Sequence, residues 1–329
     1  MQGITELVKE KAKELLSSGK AQRVLGWQKG EFMYDQTPQS FSKAEELDNF
    51  VYDGFSAPNL SKYLISESQK EGVTAVFLKP CDTYSFNQLL KEFRVKREKV
   101  YVVGVQCNGK LNYEKLTAAA GDRISEVLSD GLRVEVKTAS GKVEKFDRKD
   151  VLFDKCLACK GKEHKAYDEL LLSGEQLDVR GEDKFKAVER LEKMTADERF
   201  EFWRNELSKC IRCNACRNVC PACSCLKCVF DNNASPVAAK ANSDSFEENM
   251  FHIIRAFHVA GRCTDCGECA RVCPQHIHLE LLNRKFIKDI DGFYGNFVAG
   301  EVPEGRHPLI SYEKSDVEPS VVTDKGGEK

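Results

Sequence analysis

Two runs of cysteines with identical spacing dominate the chemistry available to this sequence. Residues 210–221 read C-x2-C-x2-C-x3-C-P, and residues 263–274 read the same. This spacing is typical of a run that holds a [4Fe–4S] cluster. Three thiolates two residues apart on one turn of backbone can reach three corners of a cubane. The fourth ligand must therefore come from another part of the chain.

The two runs predict two clusters with exchanged fourth ligands, as in other two-cluster chains. Cluster 1 is predicted on Cys210, Cys213, Cys216 and Cys273. Cluster 2 is predicted on Cys263, Cys266, Cys269 and Cys220. Two complete matches to so specific a spacing argue against disulfides or ordinary buried cysteines.

Four further cysteines follow predicted strands. Residues 73–78, 100–105 and 151–153 are short apolar runs that predict strands, and a helical stretch separates the first two. Just past the ends of these runs lie Cys81, Cys107, Cys156 and Cys159. A strand–helix–strand unit favours a parallel sheet, and ligands bind at the carboxyl edge of such sheets. The four thiols suit a third [4Fe–4S] cluster or a zinc ion. The alternatives are buried cysteines, or a redox or zinc pair at the last two.

Three cysteines remain after these assignments, and they follow Cys220 closely. They are Cys223, Cys225 and Cys228. Three thiolates so close together are costly unless a metal neutralises their charge. One interpretation is a fourth cluster, with a last ligand from Asp231, a histidine or a shared thiol. A zinc ion is another. In the third, protonated thiols tune the potential of cluster 1. His252, His258, His276 and His278 are interpreted as surface or packing residues.

The composition excludes several classes of protein. The chain has 329 residues, a net charge of −2 and 41% hydrophobic residues, which fit a globular protein of about two domains. No apolar run approaches the ~20 residues of a membrane helix, and the first residues lack a signal-peptide core. Fifteen cysteines without such a signal indicate metal or redox chemistry in a reducing compartment, so we expect a cytoplasmic protein.

Hydrophobic periodicity predicts an α/β N-terminal domain with a small, mostly parallel sheet, followed by an all-α dicluster domain. The stretch before Ala57 looks irregular apart from a short strand at 23–27, and residues 132–146 look like a hairpin. Helices are predicted to lead into each cysteine run, from capping boxes at 195–198 and 245–248. The predicted segments are an α/β domain at 1–165, a helical connector at 166–194, the dicluster domain at 195–292 and an extended tail at 293–329.

Residues 195–290 resemble the α-helical dicluster ferredoxin domains of heterodisulfide reductases and of the iron–sulfur subunits of succinate dehydrogenase. The resemblance rests on the two cysteine runs and on the long helical insert between them. It implies two [4Fe–4S] clusters in a helical domain, and not a small βαβ ferredoxin.

Residues 50–165 resemble the β-subunits of deazaflavin-coenzyme hydrogenases and dehydrogenases, including formate dehydrogenases. The matching pieces are Lys79-Pro80-Cys81, Cys107-Asn108-Gly109 and Lys155-Cys156-x-x-Cys159. The resemblance implies a [4Fe–4S] cluster on these four cysteines, beside a flavin. However, the domain is shorter than in flavin-carrying members and has no Gly-rich dinucleotide fingerprint, and these two departures argue against bound FAD. The order of the parts is also reversed relative to members with an N-terminal ferredoxin module, because the dicluster part comes last here.

Several clusters in one chain indicate electron transfer. We find no nucleophile with a base, no H-E-x-x-H motif and no phosphate loop. The first hypothesis is therefore a non-catalytic subunit of an anaerobic multisubunit oxidoreductase. It would relay single electrons between a catalytic subunit, such as a hydrogenase or formate dehydrogenase, and a flavoprotein of the heterodisulfide-reductase type.

Two other hypotheses stay open. In the second, the N-terminal domain binds a flavin and itself reduces or oxidises a deazaflavin, a nicotinamide or a quinone. In the third, the chain is a redox sensor, but no basic patch or helix-turn-helix supports nucleic-acid binding. The sequence predicts partners that are protein subunits, without nucleic acid or membrane.

Overall fold

The computed structural model describes residues 2–173, 176–179, 181, 183–232 and 245–311. The chain divides into two compact units, Met1–Asp183 and Lys184–Lys329. The first is an α/β unit and the second is helical, as the sequence predicts. The predicted four-segment division stays a prediction, and residues 312–329 of its tail lie outside the described residues.

A six-stranded sheet forms the centre of the first unit. The strands of the unit are β1 (Arg23–Lys29), β2 (Gln36–Phe41), β3 (Phe50–Val51), β4 (Thr74–Leu78), β5 (Val100–Val105), β6 (Ile124–Asp130), β7 (Arg133–Thr138), β8 (Val143–Asp147) and β9 (Glu169–Leu171). The sheet runs in the order β2–β1–β4–β5–β9, with β3 also on β1. The four strands from β1 to β9 in this order are mutually parallel, and only β2 and β3 are antiparallel to β1.

The helices of this unit are α1 (Gln2–Ser17), α2 (Leu64–Glu67), α3 (Pro80–Lys91), α4 (Tyr113–Ala120) and α5 (Asp154–Leu157). Every residue of β4 is buried, which explains its unbroken apolar sequence. Val8 of α1 and Phe86 of α3 pack in the same core as Val76 of β4 and Val102 of β5. This core fixes the carboxyl ends of β4 and β5 side by side.

The other three strands form a separate antiparallel sheet, β6–β7–β8. The predicted hairpin corresponds to β7 and β8, and β6 was not predicted. Val134 and Val136 of β7 are fully buried, and they pack with Leu116 of α4 in a second core. In the sequence, this three-stranded sheet lies after β5 and before Cys156 and Cys159.

The prediction of a strand at 151–153 is wrong. Arg148–Val151 form a 3-10 turn, and Leu152 makes an isolated antiparallel bridge to Leu111. The run is apolar because Val151 and Leu152 fill the second core, not because they extend the parallel sheet. On the side of β5 away from β4, the parallel neighbour is instead β9, which lies within the predicted connector. The irregular stretch before Ala57 also contains β2 and β3, which hydrophobic runs do not reveal because β2 alternates between buried and exposed residues.

The second unit contains only helices among its described residues. They are α6 (Lys186–Glu192), α7 (Ala196–Leu207), α8 (Ala215–Val219), α9 (Ser245–Val259), α10 (Glu268–Arg271) and α11 (Leu279–Tyr294). The predicted capping box is present at α7, where Thr195 Oγ1 accepts from the Glu198 N–H. Leu207 of α7, Phe251 of α9 and Leu279 of α11 share one core, so the helices predicted to lead into the cysteine runs both pack against them.

No helix among the described residues combines the length and the apolar character needed to cross a bilayer.

Candidate metal centres

The two cysteine runs share a backbone conformation as well as a spacing. In each run the residues before and after the second cysteine have positive φ. These are Arg212 (55°) and Asn214 (62°) in the first run, and Asp265 (51°) and Gly267 (68°) in the second. For a non-glycine residue this left-handed conformation costs roughly 1–2 kcal/mol. The short helix α8 or α10 then begins and carries the third cysteine. The turn thus wraps the first three thiols around one point.

The fourth cysteine of the first run lies beside the second run. Cys220 and Cys263 belong to one apolar cluster. Burial raises the pKa of Cys263, Cys266 and Cys269, and in each case the charge of Cys220 raises it further. The thiol that the sequence predicts as the last ligand of cluster 2 is therefore close to the other three.

The reciprocal arrangement holds for the other run. Cys273 borders the same core as Cys210 and Cys216. Burial raises the pKa of Cys216, and among the cysteines that add to this effect Cys273 comes first. Cys269 borders this core as well, so the two groups of four thiols are neighbours.

The environment of these thiols fits iron–sulfur ligation. Cys216, Cys220 and Cys269 are each less than 10% exposed. A group of buried thiolates is costly without a compensating cation, which iron supplies. Backbone amides also face the sulfurs, and the Arg212 N–H donates to Cys210 Sγ at 3.3 Å. Such N–H···S bonds stabilise the charged sulfur, so the donor sets suit two [4Fe–4S] clusters.

The three additional cysteines are divided between the two groups. Cys223 borders the apolar cluster that contains Cys220. Its thiol donates to Cys220, and this hydrogen bond is the main reason that the pKa of Cys220 is lowered. Cys228 borders the core of the other group and interacts with Arg217. Cys225 is exposed. These positions favour the interpretation of thiols that adjust the neighbouring clusters, over a site formed by all three.

The sheet of the first unit positions two cysteines of the N-terminal set. Cys81 is the second residue of α3, which starts directly after β4, and Cys107 follows β5 by two residues. Since β4 and β5 are parallel neighbours, both thiols emerge at the same edge. The charges of Cys107 and Cys159 both contribute to the raised pKa of Cys81, which burial causes mainly.

A short antiparallel pairing brings the other two cysteines to this edge. The Phe153 N–H donates to the Lys110 carbonyl at 3.1 Å, and the Asn112 N–H donates to the Val151 carbonyl at 2.8 Å. Cys156 follows on α5, and its sulfur accepts the Lys110 N–H at 3.3 Å. The backbone at 110–112 therefore pairs with the backbone at 151–153, which places Cys156 beside the segment that follows Cys107. The sequence predicts a strand of the parallel sheet at 151–153 instead.

Buried cations surround these four thiols. Lys79 and Lys110 are at most 4% exposed, and Arg148 is 5% exposed. The Lys110 ammonium donates to the Asp53 carbonyl at 2.6 Å, and burial lowers its pKa to about 8. Burial raises the pKa of the Cys156 thiol to about 11, an effect that the nearby Lys155 opposes. Lys79 is paired with Asp82, whereas the charges of Lys110 and Arg148 act on Cys107 and Cys156 and would offset those of thiolates bound to a cluster. The site therefore fits a [4Fe–4S] group.

Sequence reasoning missed three of the charged residues at these centres: Lys110, Arg148 and Arg255. Lys110 could have been found, because it directly follows Cys107-Asn108-Gly109. Arg148 and Arg255 lie in segments without any motif. Arg255 is 3% exposed on α9, and its Nη2 donates to the Cys216 carbonyl at 3.1 Å.

All fifteen cysteines belong to the part of the chain that the structure describes, and none of them forms a disulfide. No three histidine, cysteine, aspartate or glutamate side chains in it are gathered in the manner of a site for a single metal ion. His252 is 2% exposed and packs edge-on against Phe251, in keeping with a packing role.

Together, the fold and the cysteine groups define a two-part iron–sulfur protein, with an α/β unit and a helical dicluster domain. Residues 206–277 match the family described as a 4Fe-4S dicluster domain. The chain is homologous along 92% of its length to the F420-dependent formate dehydrogenase subunit beta of Methanocaldococcus jannaschii. That relative is 23% identical over 359 residues, and the match covers 93% of it.

A second relative is the F420-dependent formate dehydrogenase 1 subunit beta of Methanococcus maripaludis. It is 25% identical over 280 residues, which cover 66% of this chain and 72% of the relative. Among solved structures, a chain of the F420-reducing [NiFe] hydrogenase complex from Methanosarcina barkeri has a TM-score of 0.37 and 14% identity. That match covers 46% of this chain and 57% of the hydrogenase chain.

Proposed function

We propose that this chain is an iron–sulfur electron-transfer subunit of a multisubunit oxidoreductase. The observation that carries the proposal is the position of the two fourth cysteines: Cys220 lies in one apolar cluster with Cys263 of the second run, and Cys273 borders the core that contains Cys216 of the first. Adjacent buried clusters pass single electrons with little rearrangement. The homology to formate dehydrogenase β-subunits supports a place in a complex of this kind.

The proposed centres are three [4Fe–4S] clusters. Cluster 1 is held by Cys210, Cys213, Cys216 and Cys273. Cluster 2 is held by Cys263, Cys266, Cys269 and Cys220. Cluster 3 is held by Cys81, Cys107, Cys156 and Cys159. When bound, each cluster supplies a site for one electron. The chain's residues bury the sulfurs, donate N–H groups to them and place cations beside them.

The proposed partners are a catalytic subunit and a flavoprotein. An electron-transfer subunit needs a donor and an acceptor, and separate cluster regions on the two units allow each to serve a different partner. The catalytic subunit is of the formate dehydrogenase or hydrogenase type, on the strength of the relatives.

A second candidate function is favoured by the 92% overlap with a subunit whose name includes dependence on F420. In it, the α/β unit binds a flavin and exchanges electrons with a deazaflavin. The flavin would have to bind without a Gly-rich fingerprint, which the sequence lacks.

Anaerobic quantitation of iron, sulfide, zinc and flavin distinguishes the two functions. The relay function predicts about twelve irons and no stoichiometric flavin, since three cubanes carry four irons each. It also predicts the uptake of about three electrons during reductive titration. A stoichiometric flavin would support the second candidate, and fewer than eight irons would contradict at least one of the two assignments in the dicluster domain.

A further inference from the structure

A buried arginine lies beside the cysteine groups of the dicluster domain. Arg255 lies on α9, in the insert between the two runs, and is 3% exposed. Its Nη2 donates to the backbone carbonyl of Cys216 at 3.1 Å, which fixes the guanidinium beside the first group. A buried charge needs compensation from nearby groups of opposite sign.

The compensating groups around Arg255 are sulfurs of both runs. Arg255 interacts electrostatically with Cys220, Cys269, Cys216 and Cys223. Cys220 and Cys269 belong to the proposed ligand set of cluster 2, and Cys216 belongs to that of cluster 1. Cys216 and Cys269 also lie in one buried core, so the guanidinium is within range of both clusters.

Two other arginines of this region have a carboxylate partner, the buried Arg284 and the half-buried Arg217. Arg284 Nε lies 2.9 Å from Asp265 Oδ1, and Arg217 Nη1 lies 2.9 Å from Asp231 Oδ2. These pairs are neutral overall. Arg212 is buried as well; its Nη1 donates to the Glu247 carbonyl at 3.0 Å, and its guanidinium lies 4.3 Å from the centre of the Phe251 ring. Within the described ranges, no carboxylate forms an ion pair with Arg255. Its full positive charge is thus directed at the thiolates.

We propose that Arg255 is a positioning residue for electron transfer, whose buried charge raises the reduction potentials of both clusters. The proposal rests on the proposed function and specifies how this chain sets the potentials of its clusters. Transfer between the two cysteine groups moves one electron from one to the other, with no bond formed or broken. A fixed cation stabilises the reduced state of a nearby cluster, because that state carries one more negative charge, and this effect is strong in a medium of low polarity.

The test is an anaerobic redox titration of the full chain, followed by EPR spectroscopy. Arg255→Gln and Arg255→Met remove the charge, whereas Arg255→Lys keeps it. For a neutral variant we expect the ratio of reduced to oxidised cluster 1 to fall at least tenfold at fixed potential. This corresponds to about 59 mV for a one-electron couple. Cluster 2 should shift in the same direction, and the Lys variant should stay within about threefold of the parent chain.

Arg199→Gln is the matched control. Arg199 lies on α7 and donates to the backbone carbonyls of Glu192 and Met194, away from the cysteines. The Arg199→Gln variant loses the same charge as Arg255→Gln. Unchanged cluster potentials in Arg199→Gln therefore show that the effect of Arg255 is local. The EPR signals are assigned to clusters with Cys273→Ser and Cys220→Ser.

Three results would overturn the proposal. The first is a neutral variant with full iron content and unchanged potentials. The second is an equal shift in Arg199→Gln. The third is loss of iron in both neutral variants, because Arg255 would then be needed for assembly. The iron content of the parent chain is measured first, and it tests the proposed function separately.

Discussion

Cys220 and Cys263, the first cysteine of the other run, lie in one apolar cluster together with Val259 of α9. The two cysteines are far apart in the sequence, since α9 lies between them. In the proposed exchange of ligands, the last cysteine of each run binds the cluster of the other run. Loss of that cysteine should therefore remove the other run's cluster and spare the cluster of its own run.

The exchange of ligands predicts the outcome of Cys273→Ser. We expect loss of cluster 1, with about four irons fewer per chain, and retention of cluster 2. The reciprocal variant Cys220→Ser should lose cluster 2 and keep cluster 1. Iron analysis and EPR spectroscopy of the two variants provide the measurement. If Cys273→Ser instead removes the signal that Cys263→Ser removes, the exchange is refuted.

The N-terminal cluster should be independent of the other two. Its four cysteines all lie in the unit Met1–Asp183, and those of the dicluster domain lie in Lys184–Lys329. Cys156→Ser should therefore remove about four irons while both dicluster EPR signals persist. Ser125→Ala, in β6 of the same unit, serves as the control and should retain all iron. Loss of a dicluster signal in Cys156→Ser would contradict this division.

The three additional cysteines should have different effects when replaced. Cys223→Ser should alter the potential of cluster 2, because the Cys223 thiol donates to Cys220. Cys228→Ser should alter cluster 1, because Cys228 borders the core of Cys210 and Cys216. Cys225→Ser should change neither cluster, since Cys225 is exposed. The measurement is a redox titration with metal analysis. Equal loss of a metal in all three variants would show instead that they form one site.

A buried ion pair should stabilise the α/β unit. Lys79 Nζ lies 2.8 Å from Asp82 Oδ2, with both side chains at most 2% exposed. Lys79→Met leaves the Asp82 carboxylate buried without its partner, and we expect a cost of about 3–5 kcal/mol. Replacing Asp82 as well, in Lys79→Met/Asp82→Leu, should recover part of that loss. The reason is that no isolated charge then remains.

The fluorescence of Trp27 can report this loss during urea denaturation. Lys79 Nζ lies 4.5 Å from the centre of the Trp27 ring. The chain has two tryptophans, so a Trp203→Phe background restricts the signal to the first unit. Loss in the double variant equal to or greater than the loss in Lys79→Met would exclude the pair as the source of stability.

Much of the architecture follows from local patterns. The buried strands β4 and β5 were predicted because strands buried on both faces consist of unbroken apolar residues. The helix α7 was predicted because Thr195 and Glu198 cap its first turn. In contrast, β2 and β9 escaped prediction. The first is mostly polar, and the second has only three residues, so its place beside β5 depends on the rest of the sheet.

The sequence by itself determined which thiols can act as ligands, because the spacing within each run fixes a turn that gathers three sulfurs. Only the tertiary structure decided what surrounds them. It places Cys156 beside Cys107 through the pairing of Leu111 with Leu152, where a third strand was expected. It also places Arg255, which belongs to no motif, between two groups of thiolates. Charge acts through space and not along the chain, so residues that set an electrostatic environment become visible only when the chain is folded.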